Sequence, residues 1–336
     1  MPAVTLHTWR ICSKIVFFAS QIFSTMMHDL ILAFSQHLGQ AIQIGKATQF
    51  KAPDKKIENV LICGLGGSGI SGTIISQLLS QECQVPIGVN KDYHIPAFVD
   101  ENTLVICSSY SGNTEETLMM YEQAAEKGAE ICIITSGGKF GELAQKNNHN
   151  HIVIPGGLPP RAAFGLAFPQ TLIAFHKYGL IGEDKVSALE GSIGLLNEQE
   201  EAIQEAGMAL AKKLHGNIPV LYSESSLEGV CVRFRQQIAE NSKMLSWHHV
   251  IPEMNHNEIV GWRTQQDNLG VVIFRAESDY YRNAERINYL KRVIGEYTEN
   301  VTEILAKGDN LIARSIYLIH LGDWASYYCW NGRASP

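Results

Sequence analysis

Short unbroken apolar runs alternate with longer amphipathic stretches along most of the chain. From Met27, Leu30, Phe34, Leu38, Ala41 and Ile42 recur at helical spacing and predict one apolar helix face. VLIC (60–63) is a short continuous run of the kind that suits a strand covered on both faces of a parallel sheet. It leads directly into GLGGSG (64–69) and a predicted helix, ISGTIISQLLSQ. PIGV (86–89), TLVIC (103–107), EICIIT (130–135) and HIVIP (151–155) read as further strands. The intervening SSYSGNTEET (108–117) opens a helix to Lys127, and SGGKFGELA opens another. After the loop PGGLPPR (155–161) a helix is predicted to about Tyr178, residues 179–187 have linker chemistry, and a long helix follows over roughly 188–214. IPVLYSES (218–225), NLGVVIFRAE (268–277) and NVTEILA (300–306) restart the strand–helix cycle. Strands and helices alternating at this spacing mean βαβ units with right-handed crossovers, and hence an α/β fold with doubly wound parallel sheets.

The two halves of the pattern can be laid over one another. NVLICGLGGSGISG matches IPVLYSESSLEGVC in kind, and VICSSYSGNTEETLMMYEQ matches VVIFRAESDYYRNAERINY: strand, small-residue loop, helix. The period is too long for a solenoid, so two related domains are expected, over 27–180 and 188–336.

Composition narrows the class. The chain has 336 residues, 45% hydrophobic and 18% charged, which describes a core-forming globular protein. A net charge of −7 with no basic tract argues against non-specific nucleic-acid binding, which relies on neutralising phosphates. No apolar run approaches the length of a membrane span. Seven cysteines without a C-x-x-C pair or a nearby Cys/His cluster argue against a disulfide framework and a structural zinc, and fit a reducing cytoplasm. Residues 1–26 hold no acidic residue and only a broken apolar stretch after Arg10 and Lys14. They are read as a poorly ordered or non-native extension ahead of a start at Met26 or Met27, rather than as a signal peptide.

Two loops carry the chemistry. GLGGSG between a strand and a helix fits a dinucleotide fingerprint, with Asp92 as the acid some twenty residues on. Glycines that merely permit a tight strand-to-helix turn would explain it equally. SSYSGNTEET shifts the weight. Ser108, Ser109, Ser111 and Thr114 at a helix start offer hydroxyls and backbone N–H groups suited to a phosphate monoester, more hydroxyls than an N-cap requires. A dinucleotide site has no need of this second loop.

Together GGSG, SYSGNT and the duplicated pattern resemble the sugar isomerase (SIS) domain. PPRAAFG (159–165), RQQIAENSK (235–243) and PEMNHNEIVGW (252–262) resemble one branch, the bifunctional phosphoglucose/phosphomannose isomerase family. The resemblance extends from about residue 27 to the end. It implies two SIS domains, a homodimer with the active site shared between domains and subunits, sugar-phosphate substrates, and no metal or nucleotide cofactor. It places phosphate binding at Ser109, Ser111 and Thr114, and lines the sugar with Gly66, Gly67 and Ser68. Arg161 falls at the family's arginine, Glu240 at its catalytic base and Glu240's string ENSK carries that placement. His256 falls at the ring-opening histidine. The roles are chemically apt: a guanidinium offsets enediolate charge, a carboxylate tuned by burial moves the C1–C2 proton, and an imidazole shuttles a proton near neutral pH.

One departure is visible. The resemblance implies a further terminal helix with an active-site lysine, which the chain is expected to lack after CWNGRASP. Three readings therefore stand: an aldose–ketose isomerase interconverting glucose 6-phosphate and mannose 6-phosphate with fructose 6-phosphate; a catalytically impaired sugar-phosphate-binding protein on the same fold; and an NAD-dependent dehydrogenase, disfavoured by the phosphate-type loop.

Overall fold

A computed structural model describes residues 26–331. The extension expected before Met26 and the stretch expected to lack a lysine helix both lie outside the described residues. After helical residues 26–32, the first half contains α1 (Phe34–Ala47), β1 (Asn59–Cys63), α2 (Gly66–Leu78), β2 (Ile87–Asn90), β3 (Thr103–Ser109), α3 (Glu115–Glu126), β4 (Glu130–Thr135), α4 (Gly138–Lys146), β5 (Asn150–Val153) and α5 (Phe164–Lys177). α6 (Glu183–Leu214) leads into β6 (Ile218–Glu224), α7 (Glu228–Gln237), β7 (Trp247–Ile251), β8 (Leu269–Arg275), α8 (Tyr281–Gly295), β9 (Val301–Leu305) and α9 (Leu311–Asn331).

The strands form two parallel sheets, ordered β2-β1-β3-β4-β5 and β7-β6-β8-β9. The first four strands of each half thus follow one order, so the duplication seen in the sequence is a duplication of topology. β1 pairs with β3 from Asn59 opposite Thr103, and β6 with β8 from Ile218 opposite Leu269. β3 is buried along its whole length, as its unbroken apolar run requires.

One apolar cluster runs through both halves, joining Phe34 of α1, Ile74 of α2, Phe164 of α5, Phe234 of α7 and Trp324 of α9. α2 and α7 approach so closely that a Cβ on Gly229 would lie 2.7 Å from Ile74 Cγ1. Within this seam Arg233 and Asp323 form an ion pair of 2.7 Å, and the Arg233 guanidinium lies 4.1 Å from the centre of the Phe164 ring. Removing one partner of such a buried pair costs about 3–5 kcal/mol, because the other charge stays desolvated. Among the described residues no helix is long and apolar enough to cross a membrane.

Three local expectations are corrected, and one strand was not foreseen. The α2 helix begins at Gly66, not at Ile70, because Ser68 N and Gly69 N already bond to Leu65 O. The expected linker at 179–187 is shortened by α6, whose first turn holds Glu183 and Asp184, acids favoured at a helix start. Leu30 is only half-buried, while Met27 and Ile31 take the apolar face beside Phe34. β7 had no apolar run to announce it: WHHVI is an edge strand and stays partly exposed until Ile251.

Candidate active site

In the first sheet the chain leaves β1 toward β2 on one side and β3 toward β4 on the other. The loops after β1 and β3 therefore flank a topological switch point, the place where open α/β sheets bind ligands. Gly66, Gly67 and Ser68 form the first turn of α2 on one side. Gly66 has φ +53°, a left-handed conformation that a side chain resists, and a Cβ on Gly67 would lie 3.2 Å from Pro160 O.

On the other side, Ser109 is buried, accepts the Gly112 N–H at 3.1 Å and shares a 2.8 Å hydrogen bond with Thr114 Oγ1. Thr114 occupies the N-cap position of α3, yet no side chain caps this helix. Its hydroxyl is turned to Ser109 instead, so the first-turn N–H groups are not spent on a side-chain cap. Ser111 is exposed and accepts Asn113 N at 3.3 Å. The loop is braced from the segment after β4 and the start of α4: Ser136 Oγ donates to Tyr110 O at 2.7 Å, and Lys139 N to Asn113 Oδ1 at 3.0 Å. Gly112 is obligatory, with φ +70° and space for a Cβ only 1.9 Å from Gly137 O.

Tyr110 ties this loop to the next. Its hydroxyl donates to Pro155 O at 3.1 Å and accepts Leu158 N at 2.9 Å, anchoring the Pro-rich segment that ends at Arg161. Arg161 sits in the single turn Pro160–Ala162 and reaches the second half, where its Nε donates to Asn241 Oδ1 at 2.9 Å. Asn241 follows Glu240 in the π-helical turn Ile238–Ser242 that ends α7. Burial works against the Arg161 charge and lowers its pKa, while the nearby Glu240 carboxylate supports it.

The fold therefore links the Gly66–Ser68 turn, the Ser109–Thr114 loop, Arg161 and Glu240 through a continuous set of contacts. No side-chain contact ties His256 to them: His256 ends a short 3-10 turn, is exposed, and its side chain makes no hydrogen bond or ion pair among the described residues. Its segment is nonetheless pinned, since Tyr222 Oη donates to Glu258 Oε1 at 2.5 Å and Trp262 Nε1 to Tyr222 Oη at 3.2 Å. Glu240 is exposed, so its own chain does not supply the burial expected to tune it. Asp92, the acid of the dinucleotide reading, is exposed and accepts its neighbour's Tyr93 N at 2.7 Å. Sequence reasoning missed Tyr110 and Asn241. Both lie inside strings it had singled out, but an aromatic beside hydroxyls and an amide beside a carboxylate carry no signal of which loop they will join.

Residues 54–178 match the SIS domain, and residues 203–332 match the bacterial phospho-glucose isomerase C-terminal SIS domain. A bifunctional phosphoglucose/phosphomannose isomerase of Caldicellulosiruptor bescii is 39% identical over 313 residues, covering 90% of this chain and 92% of that protein. The protein of the same name from Aquifex aeolicus is 35% identical, covering 81% and 83%. Among solved structures, the C-terminal domain of glucosamine-fructose-6-phosphate aminotransferase from Francisella tularensis superposes with a TM-score of 0.73 at 12% identity, over 92% of this chain and 96% of that one. At that identity the likeness concerns the fold alone.

Proposed function

The chain belongs to the bifunctional phosphoglucose/phosphomannose isomerase family, and we propose that it interconverts glucose 6-phosphate and mannose 6-phosphate with fructose 6-phosphate by enediol proton transfer. The observation that carries this reading is the uncapped start of α3, wrapped by Ser109, Ser111 and Thr114 and joined through Tyr110 to the loop that delivers Arg161 beside Glu240.

In this scheme the substrate phosphate binds the Ser109–Thr114 loop, where hydroxyls and helix-start N–H groups hold an anion without a full opposing charge. Gly66, Gly67 and Ser68 line the sugar at close backbone approach. Glu240 takes the proton from C2 and returns it to C1, or the reverse. Arg161 offsets the charge that gathers on the enediolate oxygens. His256 opens the ring by moving a proton between the ring oxygen and O1, reaching the site of a second copy. Its exposure, with Val260 60% exposed beyond it and Leu245 86% exposed beyond Glu240, supports a homodimer in which these surfaces are covered. Such a dimer would also supply the burial that Glu240 lacks. The two SIS units are taken as 27–180 and 188–336, and a reducing cytoplasm as the setting. No cofactor, nucleic acid or membrane enters the scheme.

The test is a coupled assay of fructose 6-phosphate formation from each aldose phosphate, alongside a sugar-phosphate binding measurement. Turnover on both substrates is expected; intact binding with no turnover on either would sink the isomerase reading in favour of a binding protein.

A further inference from the structure

We infer that Asn241 is the positioning residue that sets the Arg161 guanidinium against Glu240 across the seam between the two halves, an inference that rests on the isomerase reading above. Asn241 is 5% exposed and both ends of its amide are engaged. Oδ1 accepts from Arg161 Nε at 2.9 Å, and Nδ2 donates to Ser326 Oγ on α9 at 3.0 Å. The direction of that amide is forced. Ser326 Oγ has a single proton and donates it to Asp323 O at 2.7 Å, so toward Asn241 it presents only a lone pair. Nδ2 must face Ser326, and Oδ1 must face the arginine.

The anchor beneath is equally fixed. Ser242 Oγ donates to Ser326 O at 2.7 Å, and Asp323 is held by Arg233 at 2.7 Å and by Gln237 Nε2 at 2.9 Å. Arg233 in turn rests on Phe164 of the first half, three residues beyond Arg161. A buried network thus runs from α9 through Asn241 to a cation supplied by the other half. An amide suits the place better than a carboxylate. It orients the guanidinium by accepting from Nε, whereas a carboxylate at 241 would neutralise the charge the enediolate requires. Because Asn241 directly follows Glu240 in one π-helical turn, the support of the cation and the base are built on the same piece of backbone.

The experiment reads fructose 6-phosphate turnover and the Arg161 Nε–H resonance, identified by its loss in Arg161→Lys, on the full chain. Asn241→Ala is expected to lower kcat about 10- to 100-fold with KM nearly unchanged, the scale of a misplacement of about 1 Å at the reacting centre. In an Arg161→Ala background the same substitution is expected to cost less than about threefold, because the group it positions is gone. Asn241→Asp, which keeps the acceptor facing Arg161 but sets a carboxylate oxygen against the Ser326 Oγ lone pair, is expected to lower the melting temperature and kcat while keeping the resonance. The resonance, protected from exchange in the unaltered protein, is expected to disappear in Asn241→Ala. Losses that multiply fully in the double variant overturn the inference, as does an unchanged resonance in Asn241→Ala. If the unaltered protein has no turnover, the isomerase reading fails, and the resonance alone decides whether Asn241 holds Arg161.

Discussion

The two sheets share a strand order and differ at the crevice that order creates. In the first half the loops after β1 and β3 present glycines, hydroxyls and an uncapped helix start. In the second half the equivalent loops follow β6 and β8, and carboxylates fill the same place. Glu224 Oε2 accepts the N–H of Tyr280, the N-cap residue of α8, at 3.1 Å. Asp279 Oδ1 accepts Ala276 N at 3.1 Å, and Oδ2 accepts Arg275 Nε at 2.5 Å. The second crevice therefore contains its own anions. Arg275 already offsets the Asp279 charge, so Glu224 is the carboxylate a phosphate would meet at this helix start. A helix start favours an anion by at most about 2 kcal/mol, while a like charge about 4 Å away near a surface repels it by about 4 kcal/mol, so Glu224 outweighs the helix start. The topology supplies a helix start at each crevice, and loop chemistry alone decides which of them is a binding site.

Four substitutions test this asymmetry, in order of decreasing effect. Glu240→Gln removes the proposed base next to the first crevice. It is expected to lower kcat by about 10²- to 10⁴-fold while sugar-phosphate binding persists, as calorimetry would show. A near-normal rate would take the base away from this turn. Ser111→Asp brings the second crevice's chemistry into the first at an exposed position, and KM for fructose 6-phosphate is expected to rise about 100-fold, or about 3 kcal/mol of repulsion. An unchanged KM would mean that the phosphate sits elsewhere. Gly112→Ala forces a Cβ against Gly137 O, and is expected to cost about 1–3 kcal/mol and lower the melting temperature by about 2–9 °C. A variant melting with the parent would show that the loop relaxes freely.

The smallest effect is a gain. Burial, followed by the neighbouring Asp279, raises the Glu224 pKa above its ordinary value, although Asn283 and the Tyr280 N–H oppose the shift. A carboxyl raised on folding contributes stability that is present below its unfolded pKa and is lost as pH rises through the folded one. Glu224→Gln, which cannot titrate, is therefore expected to melt about 1–3 °C higher at neutral pH, with the gap closing below about pH 4 and turnover unchanged. A gap that widens on acidification would reverse the assigned cause.

Much of this was legible along the chain. Apolar runs located eight of the strands, the inner ones because they are buried and the edges β2, β5 and β9 because they still carry short apolar runs, and the parallel between the two halves survives as a shared strand order. Gly66, Ser109 and Thr114 were legible for a local reason: left-handed backbone and helix starts select their residue types within a few positions. β7 was not, since an edge strand at half exposure tolerates Trp247, His248 and His249. The filling of the second crevice was not legible either. RAESDY reads as an ordinary polar loop until Glu224, some fifty residues earlier, is seen to close on the Tyr280 N–H.

The sequence by itself determined the α/β class, the repeat, the hydroxyl-bearing loop and the family strings around Arg161, Glu240 and His256. Those features depend on hydropathy, glycine conformation and residue type, which are local properties. Only the tertiary structure decided that Arg161 of one half is held by Asn241 of the other, that Tyr110 locks two loops together, and that the exposed His256 side chain bonds to neither. Each of these depends on where distant segments meet. That is set by the packing of α2, α5, α7 and α9 into one core, and no spacing along the chain encodes it.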